Sequence, residues 1–373
     1  MKELGLLFLK LGVIAFGGPA AHIAMMEDEV VVRRNWITRQ HFLDLVGATN
    51  LIPGPNSTEM TMHIGYEHAR WPGLIVAGTC FILPAAAITG VFAWFYVRFG
   101  ALPQVQPFLA GIKPAVLAII LGAMWRLGKA AMKDWTMVPV ALGVTTTLLL
   151  GTDEITALLV GAVLGMAWLL AVARFRSGAL FSAAPISLQL LAEAANGDVP
   201  LWKLGLFFLK IGAILYGSGY VLIAFLEGGL VHDLGWLTEA ELLDAIAIGQ
   251  FTPGPVLTTA TFVGYVIAGI PGAVVATIAI FLPSFAFVAV LNPVIPRLRR
   301  SPWTAAFLDA VNVSAVALML VVVLQLGAGA LVDGSAWMIF IASAAAALLL
   351  RVNAAYVVLG GALAGYFLEL LFA

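Results

Sequence analysis

Charged side chains are scarce in this sequence: they make up 10% of its 373 residues, whereas a soluble globular domain carries about 25%. Hydrophobic residues make up 62%. A chain of this composition lacks the polar surface to cover itself in water, which excludes a soluble fold. It offers about twelve apolar stretches of the roughly 20 residues that a membrane-spanning helix needs. The sequence therefore predicts an all-α polytopic membrane protein, with the lipid bilayer as its surroundings.

Cysteine is almost absent, since Cys80 is the only one. That excludes a disulfide framework within the chain and a cysteine-rich metal site. The net charge of −1 leaves no basic excess for binding nucleic acid. Neither a GxxxxGK[ST] phosphate-binding loop nor an HExxH zinc motif occurs. ATP-driven pumping is therefore disfavoured, and we predict no enzyme, no cofactor and no metal.

An internal repeat organises the chain. The run Leu4–Lys10, LGLLFLK, returns as LGLFFLK at Leu204–Lys210, and His41–Pro55 returns as Glu241–Pro255. The offset is 200 positions and becomes 199 after one deletion. Such a duplication is typical of secondary transporters. We predict an N-terminal repeat over 1–173, a cytoplasmic linker over 174–200 and a C-terminal repeat over 201–373.

Loop charges predict how the halves lie in the membrane. Each half has six apolar segments, and a Pro-Gly-Pro breaks the second one. Arg34 and Arg39 precede that segment and Arg70 follows it. Because cytoplasmic loops favour Lys and Arg, both flanks are predicted to be cytoplasmic, which makes the segment a re-entrant hairpin. The first segment, 4–26, counts as a crossing. About five transmembrane helices plus one re-entrant hairpin per half give two inverted-topology repeats, because five is odd.

Two breaks per half predict the substrate site. Gly17-Gly18-Pro19 is repeated as Gly217-Ser218-Gly219, and Pro53-Gly54-Pro55 as Pro253-Gly254-Pro255. Glycine and proline directly before a restarting helix would present free N–H groups and a partial positive charge to an anion. The alternative is that these residues only make kinks or close packing. The predicted substrate-binding set is Gly17, Gly18, Pro19, His22, Asn50, Pro53, Gly54, Pro55, Asn56, Ser57, Thr58, Gly217, Ser218, Gly219, Pro253, Gly254, Pro255 and Thr258.

Charges inside apolar runs are costly and point to function. Lys10 and Lys210 occupy matching positions and are predicted to balance the charge of a bound dianion; snorkelling to the interface is the alternative. Glu59 and His63 lie one helical turn apart and are predicted to relay protons. The alternative for this pair is a structural hydrogen bond, and the second half has no acid or imidazole at the matching positions.

These residues lie in motifs that resemble the chromate ion transporter family in its long, two-domain form. The resemblance rests on FGGPAAHIAMME (Phe16–Glu27), NLIPGPNSTEM (Asn50–Met60) and AGTCFILPA (Ala77–Ala85). The second half echoes them in LYGSGYVLIAFLE (Leu215–Glu227) and FTPGPV (Phe251–Val256). The resemblance implies chromate export driven by the membrane potential or proton gradient, and an antiparallel pair of homologous domains. Gly-Ser-Gly replaces Gly-Gly-Pro in the second half, which leaves open whether both halves contact the anion equally.

Three functions follow in order. The first is a secondary transporter that exports chromate across the inner (plasma) membrane, with H⁺ as a candidate coupling ion. The second is a carrier of sulfate or a related oxyanion, because chromate and sulfate are both tetrahedral dianions of similar size. The third, and least favoured, is a membrane-embedded metalloenzyme. The assembly state is left open, a homodimer included.

Overall fold

A computed structural model describes residues 1–16, 18–175, 199–216, 219–291 and 301–372 of the chain. All regular elements within these ranges are helices, which confirms the all-α class. Gly17, Gly217, Ser218 and nearly all of the predicted linker lie outside the described residues.

Fourteen helices are described, and the two halves give them in the same order. The first half contains α1 (Lys2–Ile14), α2 (Pro19–Glu27), α3 (Arg39–Thr49), α4 (Asn56–Phe99), α5 (Gln106–Ala131), α6 (Val138–Leu149) and α7 (Glu154–Phe175). The second contains α8 (Leu201–Ile214), α9 (Val221–Leu226), α10 (Glu239–Phe251), α11 (Thr259–Leu291), α12 (Pro302–Ala330), α13 (Gly334–Leu348) and α14 (Ala354–Phe372). Wider π-type turns, Asp28–Arg33 and Glu227–Asp233, extend α2 and α9.

The helices α4 and α11 are each broken at the same place in the repeat. Arg70 in α4 and Gly269 in α11 have φ angles of 52° and 60°, which interrupt the helical path. Pro72 and Pro271 follow two residues later and remove a backbone donor at the break. Each helix therefore consists of a short arm (56–68 and 259–267) and a long arm (71–99 and 270–291).

The first apolar segment turns back instead of crossing. Arg34 Nε lies 3.3 Å from a Glu3 carboxylate oxygen, and Lys10 Nζ lies 2.8 Å from Glu29 Oε1. These contacts require α1 and α2 to run antiparallel, because a continuous path would separate Glu3 from Arg34 by most of a bilayer. The expectation of a crossing over 4–26 is therefore corrected. Each half has two hairpins side by side, α1–α2 and α3 with the short arm of α4 in the first, and their counterparts in the second.

The remaining helices form the membrane-spanning frame. Within the described residues, six helices are long and apolar enough to cross a membrane, and two shorter apolar helices cover Trp135–Leu149 and Gly334–Leu348. Together they give four spanning arms per half, one fewer than predicted, because the first segment forms a hairpin. The membrane class predicted from composition is confirmed.

Basic and acidic side chains separate to the two ends of this frame. Lys133, after α5, pairs with Asp309 of α12 at 2.6 Å, and Arg351 lies beside the end of α5. We call this end the basic face. At the other end Glu154 of α7 lies against Gly228, and Glu239 of α10 lies against Gly329. We call that end the acidic face. The hairpins of the first half enter from the basic face, those of the second from the acidic face.

The two halves interlock through their spanning helices. In the first half α5 packs against α13 and α14, and its counterpart α12 packs against α6 and α7. Leu117 lies beside Gly327, while their repeat equivalents Val316 and Gly128 lie side by side in return. These reciprocal contacts require α5 and α12 to run antiparallel. The sequence halves are consequently one packed body and not two separate domains.

Small residues let the interlocked helices approach closely. A β-carbon on Gly361 would overlap Ala115 and lie 2.8 Å from the Gly111 carbonyl oxygen. Gly365 meets the same stretch of α5. Glycine at four-residue spacing therefore makes the α5–α14 contact, as small residues do in other membrane bundles.

We expect Gly361→Val to lower the free energy of unfolding by about 1–3 kcal/mol, because the added side chain overpacks the α5–α14 contact. The neighbouring Gly360 is the matched control, since a β-carbon there has no heavy atom within 4 Å. Thermal unfolding of both variants in detergent checks this. Equal melting temperatures for Gly361→Val and Gly360→Val would contradict the packing described.

Candidate functional site

The four hairpin tips meet at the centre of the frame. Gly54 N–H, in the first Pro-Gly-Pro, donates to the Leu215 carbonyl oxygen at 2.6 Å. Gly254 N–H, in the second, donates to the Ala15 carbonyl oxygen at 2.9 Å. The prolines on either side have no N–H to offer, and Ala15 and Leu215 end helices whose last carbonyls lack intrahelical partners. Each half therefore satisfies the broken backbone of the other.

Only glycine fits the middle of each Pro-Gly-Pro. Gly54 and Gly254 have φ angles of 141° and 91°, a conformation that side-chain-bearing residues rarely adopt. A β-carbon on Gly54 would overlap Glu59 Oε1 and Ser284 Oγ. One on Gly254 would overlap Ala85, the repeat equivalent of Ser284. Both tips are thus pressed against the long arm from the opposite half.

A cavity of about 640 Å³ runs from the tips toward the basic face. All four tips contribute to its wall, together with α5, α12 and the loop before α14. Its lining is Gly18, Pro19, Ala20, Ala21, Asn50, Asn56, Ala123, Arg126, Leu127, Ala130, Ala131, Tyr216, Tyr220, Val221, Gly249, Gln250, Thr252, Gly254, Val256, Asn312, Ala315, Val316, Arg351, Val352, Asn353 and Ala354.

The wall of this cavity is rich in hydrogen-bond donors and poor in negative charge. None of its described lining residues is acidic, and two are arginines, Arg126 and Arg351. Amide and hydroxyl groups make up the rest of its polar surface. They belong to Asn50, Asn56, Gln250, Asn312, Asn353, Thr252, Tyr216 and Tyr220. A site with positive charge, neutral donors and no carboxylate is suited to an anion.

The start of α2 faces into the cavity. Gly18, with φ 81°, is the N-cap residue, and Pro19 occupies the first turn. The N–H groups of Ala20 and Ala21 belong to the first turn, where no intrahelical acceptor exists. This is the arrangement predicted for Gly18 and Pro19 from the sequence. The Gly54 and Gly254 amides differ from that prediction, because they already donate to carbonyls of the opposite half.

Side chains flanking the second tips bridge each hairpin. Asn56 Nδ2 donates to Asn50 Oδ1 at 2.9 Å across the first Pro-Gly-Pro. Gln250, the repeat equivalent of Asn50, accepts from the Tyr220 hydroxyl at 3.0 Å. Both contacts place amide groups at the cavity wall.

The predicted substrate-binding residues divide into two groups. Gly18, Pro19, Asn50, Asn56 and Gly254 line the cavity. The remaining described members are buried around the tips and are absent from the lining. They are His22, Pro53, Gly54, Pro55, Ser57, Thr58, Gly219, Pro253, Pro255 and Thr258.

His22 supports a tip instead of facing the cavity. Its side chain is 1% exposed, and Nε2 lies 3.0 Å from the Ala15 carbonyl oxygen. Its ring meets Phe81 edge-on. Because Ala15 O is an acceptor, Nε2 carries the proton in this contact. The position matches the core-histidine alternative more closely than substrate contact.

The two lysines lie away from the cavity. Lys10 is half-exposed and paired with Glu29, whose other carboxylate oxygen contacts Arg34. The hydrogen bond from Lys10, together with Arg34, holds the pKa of Glu29 below its usual range. Lys210 is exposed and likewise absent from the cavity lining. The predicted charge compensation by Lys10 and Lys210 gains no support from this placement.

Glu59 and His63 are fully buried in the short arm of α4. The Glu59 carboxylate lies against Gly54 and the Ser284 hydroxyl. Within the described part of the chain, neither Glu59 oxygen has a hydrogen-bond partner. A proton gained or lost at Glu59 would therefore change the charge directly behind a tip.

Sequence reasoning missed the arginines and most of the amides in the cavity wall. Arg126 and Arg351 follow apolar segments, so they were interpreted only as markers of cytoplasmic loops. Gln250 was recognisable, because it is the repeat equivalent of Asn50 and precedes the second Pro-Gly-Pro. Nothing in the local sequence marks Asn312 or Asn353.

Comparison with known proteins decides the family. The chromate transporter family model matches residues 2–166 and again 202–366. The chain belongs to the chromate transporter family. The double match also bears out the internal repeat. No solved structure matches this family member at a significant level.

Similar proteins of this family have been described in several bacteria. The chromate transport protein of Cupriavidus metallidurans is 33% identical over 89% of this chain and 84% of its own length. The probable chromate transport protein of Synechococcus elongatus is 30% identical over 89% and 86%. The chromate transport protein of Pseudomonas aeruginosa is 31% identical over 84% and 77%.

We expect Gly54→Ala to lower transport at least about tenfold while the protein still inserts into the membrane. The β-carbon would collide with Glu59 and Ser284 and displace the tip that the Leu215 carbonyl holds. Gly151→Ala is the matched control, because Gly151 also has a positive φ (87°) but has open space around it, in a loop away from the cavity. Uptake by vesicles with equal amounts of each variant checks this, and normal uptake by Gly54→Ala would contradict it.

Proposed function

We propose that this protein is a secondary active transporter that exports chromate from the cytoplasm across the inner membrane by alternating access. The anion binds in the central cavity, at the helix start of Gly18–Pro19 and the neighbouring side-chain donors. The observation that carries the proposal is the acid-free cavity on which all four hairpin tips converge. Family membership and the names of the bacterial relatives support chromate as the substrate.

Chromate fits the chemistry of this wall. Its four oxygens only accept hydrogen bonds at neutral pH, and the wall offers amide, hydroxyl and guanidinium donors. The start of α2 adds backbone N–H groups and a partial positive charge. Neutral donors supply much of the contact, so the anion is bound without being held too tightly to leave.

The halves are proposed to have inverted topology, with the basic face in the cytoplasm. The antiparallel course of α5 and α12 supports inversion. Cytoplasmic loops favour Lys and Arg, and the basic face carries Arg34, Arg70, Arg126, Lys133 and Arg351. In this orientation α7 ends at the cytoplasmic face and α8 begins at the opposite one.

A pair of cysteine variants tests the inversion. Thr152 and Val352 are repeat equivalents in the loops after α6 and α13. With Cys80 replaced by Ala, we expect Thr152→Cys to react with a membrane-impermeant thiol reagent only from outside the cell. Val352→Cys should react only from the cytoplasmic side, in inverted vesicles. Labelling of both from the same side would contradict inverted repeats.

An asymmetry between the second hairpins supports alternating access. On the acidic side α10 packs against α5 and α14, and the Tyr96 hydroxyl donates to Asp244 Oδ2 at 2.9 Å. Its counterpart α3 packs mainly against α2 and α4 of its own half. The cavity runs toward the basic face, on the α3 side. In the proposed cycle the opposite state closes α3 and releases α10.

Export has a driving force of the right sign. An inside-negative potential favours outward movement of anions by about 2.3 kcal/mol per charge for each 100 mV. We propose that the proton gradient also contributes, through Glu59 and His63. The contact of Glu59 with the Gly54 tip supports this role, because its charge state acts directly on a moving element of the site.

We expect Glu59→Gln to flatten the pH dependence of transport, because glutamine keeps the shape of the side chain and cannot exchange a proton. Glu67→Gln is the matched control, two turns further along the same arm, where Glu67 lies 3.5 Å from His41 at the basic face. Initial rates from pH 5.5 to 8.5 check the prediction. A profile for Glu59→Gln that follows the wild type would remove this residue from coupling.

Transport of a different oxyanion is the second candidate function, because sulfate shares the charge and shape of chromate. Inverted vesicles present the cytoplasmic face outward, so export appears as uptake. We expect these vesicles to accumulate labelled chromate, with sulfate as the competitor and vesicles lacking the protein as the control. Preferential uptake of sulfate would favour the second candidate, and uptake of neither would refute the proposed function.

A membrane-embedded metalloenzyme remains the least favoured function. The family is named for transport. Among the described residues, no group of three or more His, Cys, Asp or Glu side chains is placed to hold a metal ion. A stoichiometric transition metal in the purified protein would reopen this alternative.

A further inference from the structure

A dianion in the central cavity requires positive charge nearby, and the lysines predicted for that task lie elsewhere. Lys10 is paired with Glu29 near the base of the first hairpin, and Lys210 is exposed outside the cavity. The dipole at the start of α2 supplies only about half a charge. The donors named so far therefore leave most of the charge on chromate or sulfate uncompensated.

Two arginines from opposite halves are placed to supply it. Arg126 lies in the last turns of α5, and Arg351 lies in the loop between α13 and α14. Both line the cavity. We propose that Arg126 and Arg351 together form the charge-complementing part of the anion site. This inference rests on the proposed function and names the residues that select a doubly charged tetrahedral oxyanion.

Neither arginine is engaged with an acid. Throughout the described ranges, no carboxylate oxygen lies within 4 Å of Arg126 or Arg351, whereas Arg33, Arg34, Arg39 and Lys133 all have such partners. An arginine on a membrane protein surface commonly finds an acid or the lipid headgroups. These two face a water-filled cavity without acidic lining, which leaves their guanidinium groups available to an anion.

The position of each arginine is fixed by its surroundings. Arg351 has a φ of 53°, a conformation that few residues other than glycine adopt. Contacts on its C-terminal side hold it there: Val352 N–H donates to the Ala346 carbonyl, and Asn353 Oδ1 accepts from Ala355 N–H. Backbone strain of this kind concentrates at functional sites. On the other wall, Arg126 lies close enough to Tyr220 to interact electrostatically, and Tyr220 is bound to Gln250.

Arginine is also the right residue chemically. Its planar guanidinium can donate two parallel hydrogen bonds to two oxygens of one tetrahedral anion, and it stays charged at all physiological pH values. Two arginines carry two charges, which matches chromate and sulfate and exceeds what a monovalent anion can use. The pair should therefore discriminate by valence as well as by shape.

The test measures binding directly, apart from transport. Purified wild type, Arg126→Gln, Arg351→Gln and the charge-retaining Arg126→Lys and Arg351→Lys are compared by equilibrium dialysis with labelled chromate and sulfate, and with the monovalent anion nitrate. We expect each glutamine variant to bind the dianions at least about tenfold more weakly, since one charge-assisted contact is lost. Binding of nitrate should change less, and each lysine variant should recover part of the affinity.

Two controls make the outcome decisive. Lys133→Gln removes a basic-face charge outside the cavity, and Lys10→Gln removes a charge that the sequence predicted for the site. Both should bind chromate as the wild type does. Glutamine variants that fold, by size-exclusion profile, and bind chromate with wild-type affinity would overturn the inference, as would a loss confined to Lys10→Gln. A wild type that neither binds nor transports chromate or sulfate would instead refute the proposed function.

Discussion

Two backbone hydrogen bonds between the halves hold the centre of this molecule together. A broken helix inside a bilayer leaves peptide groups that neither lipid nor the helix itself can satisfy. Here Gly54 N–H meets the Leu215 carbonyl, and Gly254 N–H meets the Ala15 carbonyl. The exchange allows four interrupted hairpins to end at membrane depth. The cavity, its donors and its connection to the basic face all depend on that meeting of tips.

Much of this arrangement was predictable from the sequence. The repeat offset and the Gly/Pro punctuation located the breaks, and Gly18, Pro19, Asn50, Asn56 and Gly254 line the cavity as predicted. Those signals are local, because proline and glycine act on the chain within a turn or two.

The errors come from contacts that are distant in sequence. The segment 4–26 is long enough to cross a bilayer, and only the ion pair of Glu3 with Arg34 shows that it returns. The lysines of the repeated LGL(L/F)FLK run were predicted to serve the site, yet Lys10 is paired with Glu29. Arg126 and Arg351 were hidden as ordinary loop charges, because no local pattern shows that a loop borders a cavity.

The halves share a fold and divide the chemistry. His22 supports the first tip, while Leu222 holds the equivalent position in the second half. Glu59 lies behind one Pro-Gly-Pro, and Thr259 follows the other. Near the second tip, hydroxyl groups of Thr89, Thr252 and Thr258 cluster within 3.3–3.4 Å of one another. A titratable group on one side and neutral hydroxyls on the other would let a symmetric frame respond to protons in one half only.

The reciprocal bonds between the tips also bear on how such a molecule arose. A polypeptide carrying a single half would expose the amide of its Pro-Gly-Pro and the carbonyl that ends its first helix, with no complement in its own sequence. Two copies facing each other head to tail would satisfy both at once. An ancestral half-length protein with these tips would thus have been an obligate antiparallel dimer, and gene fusion would have freed its two subunits to diverge.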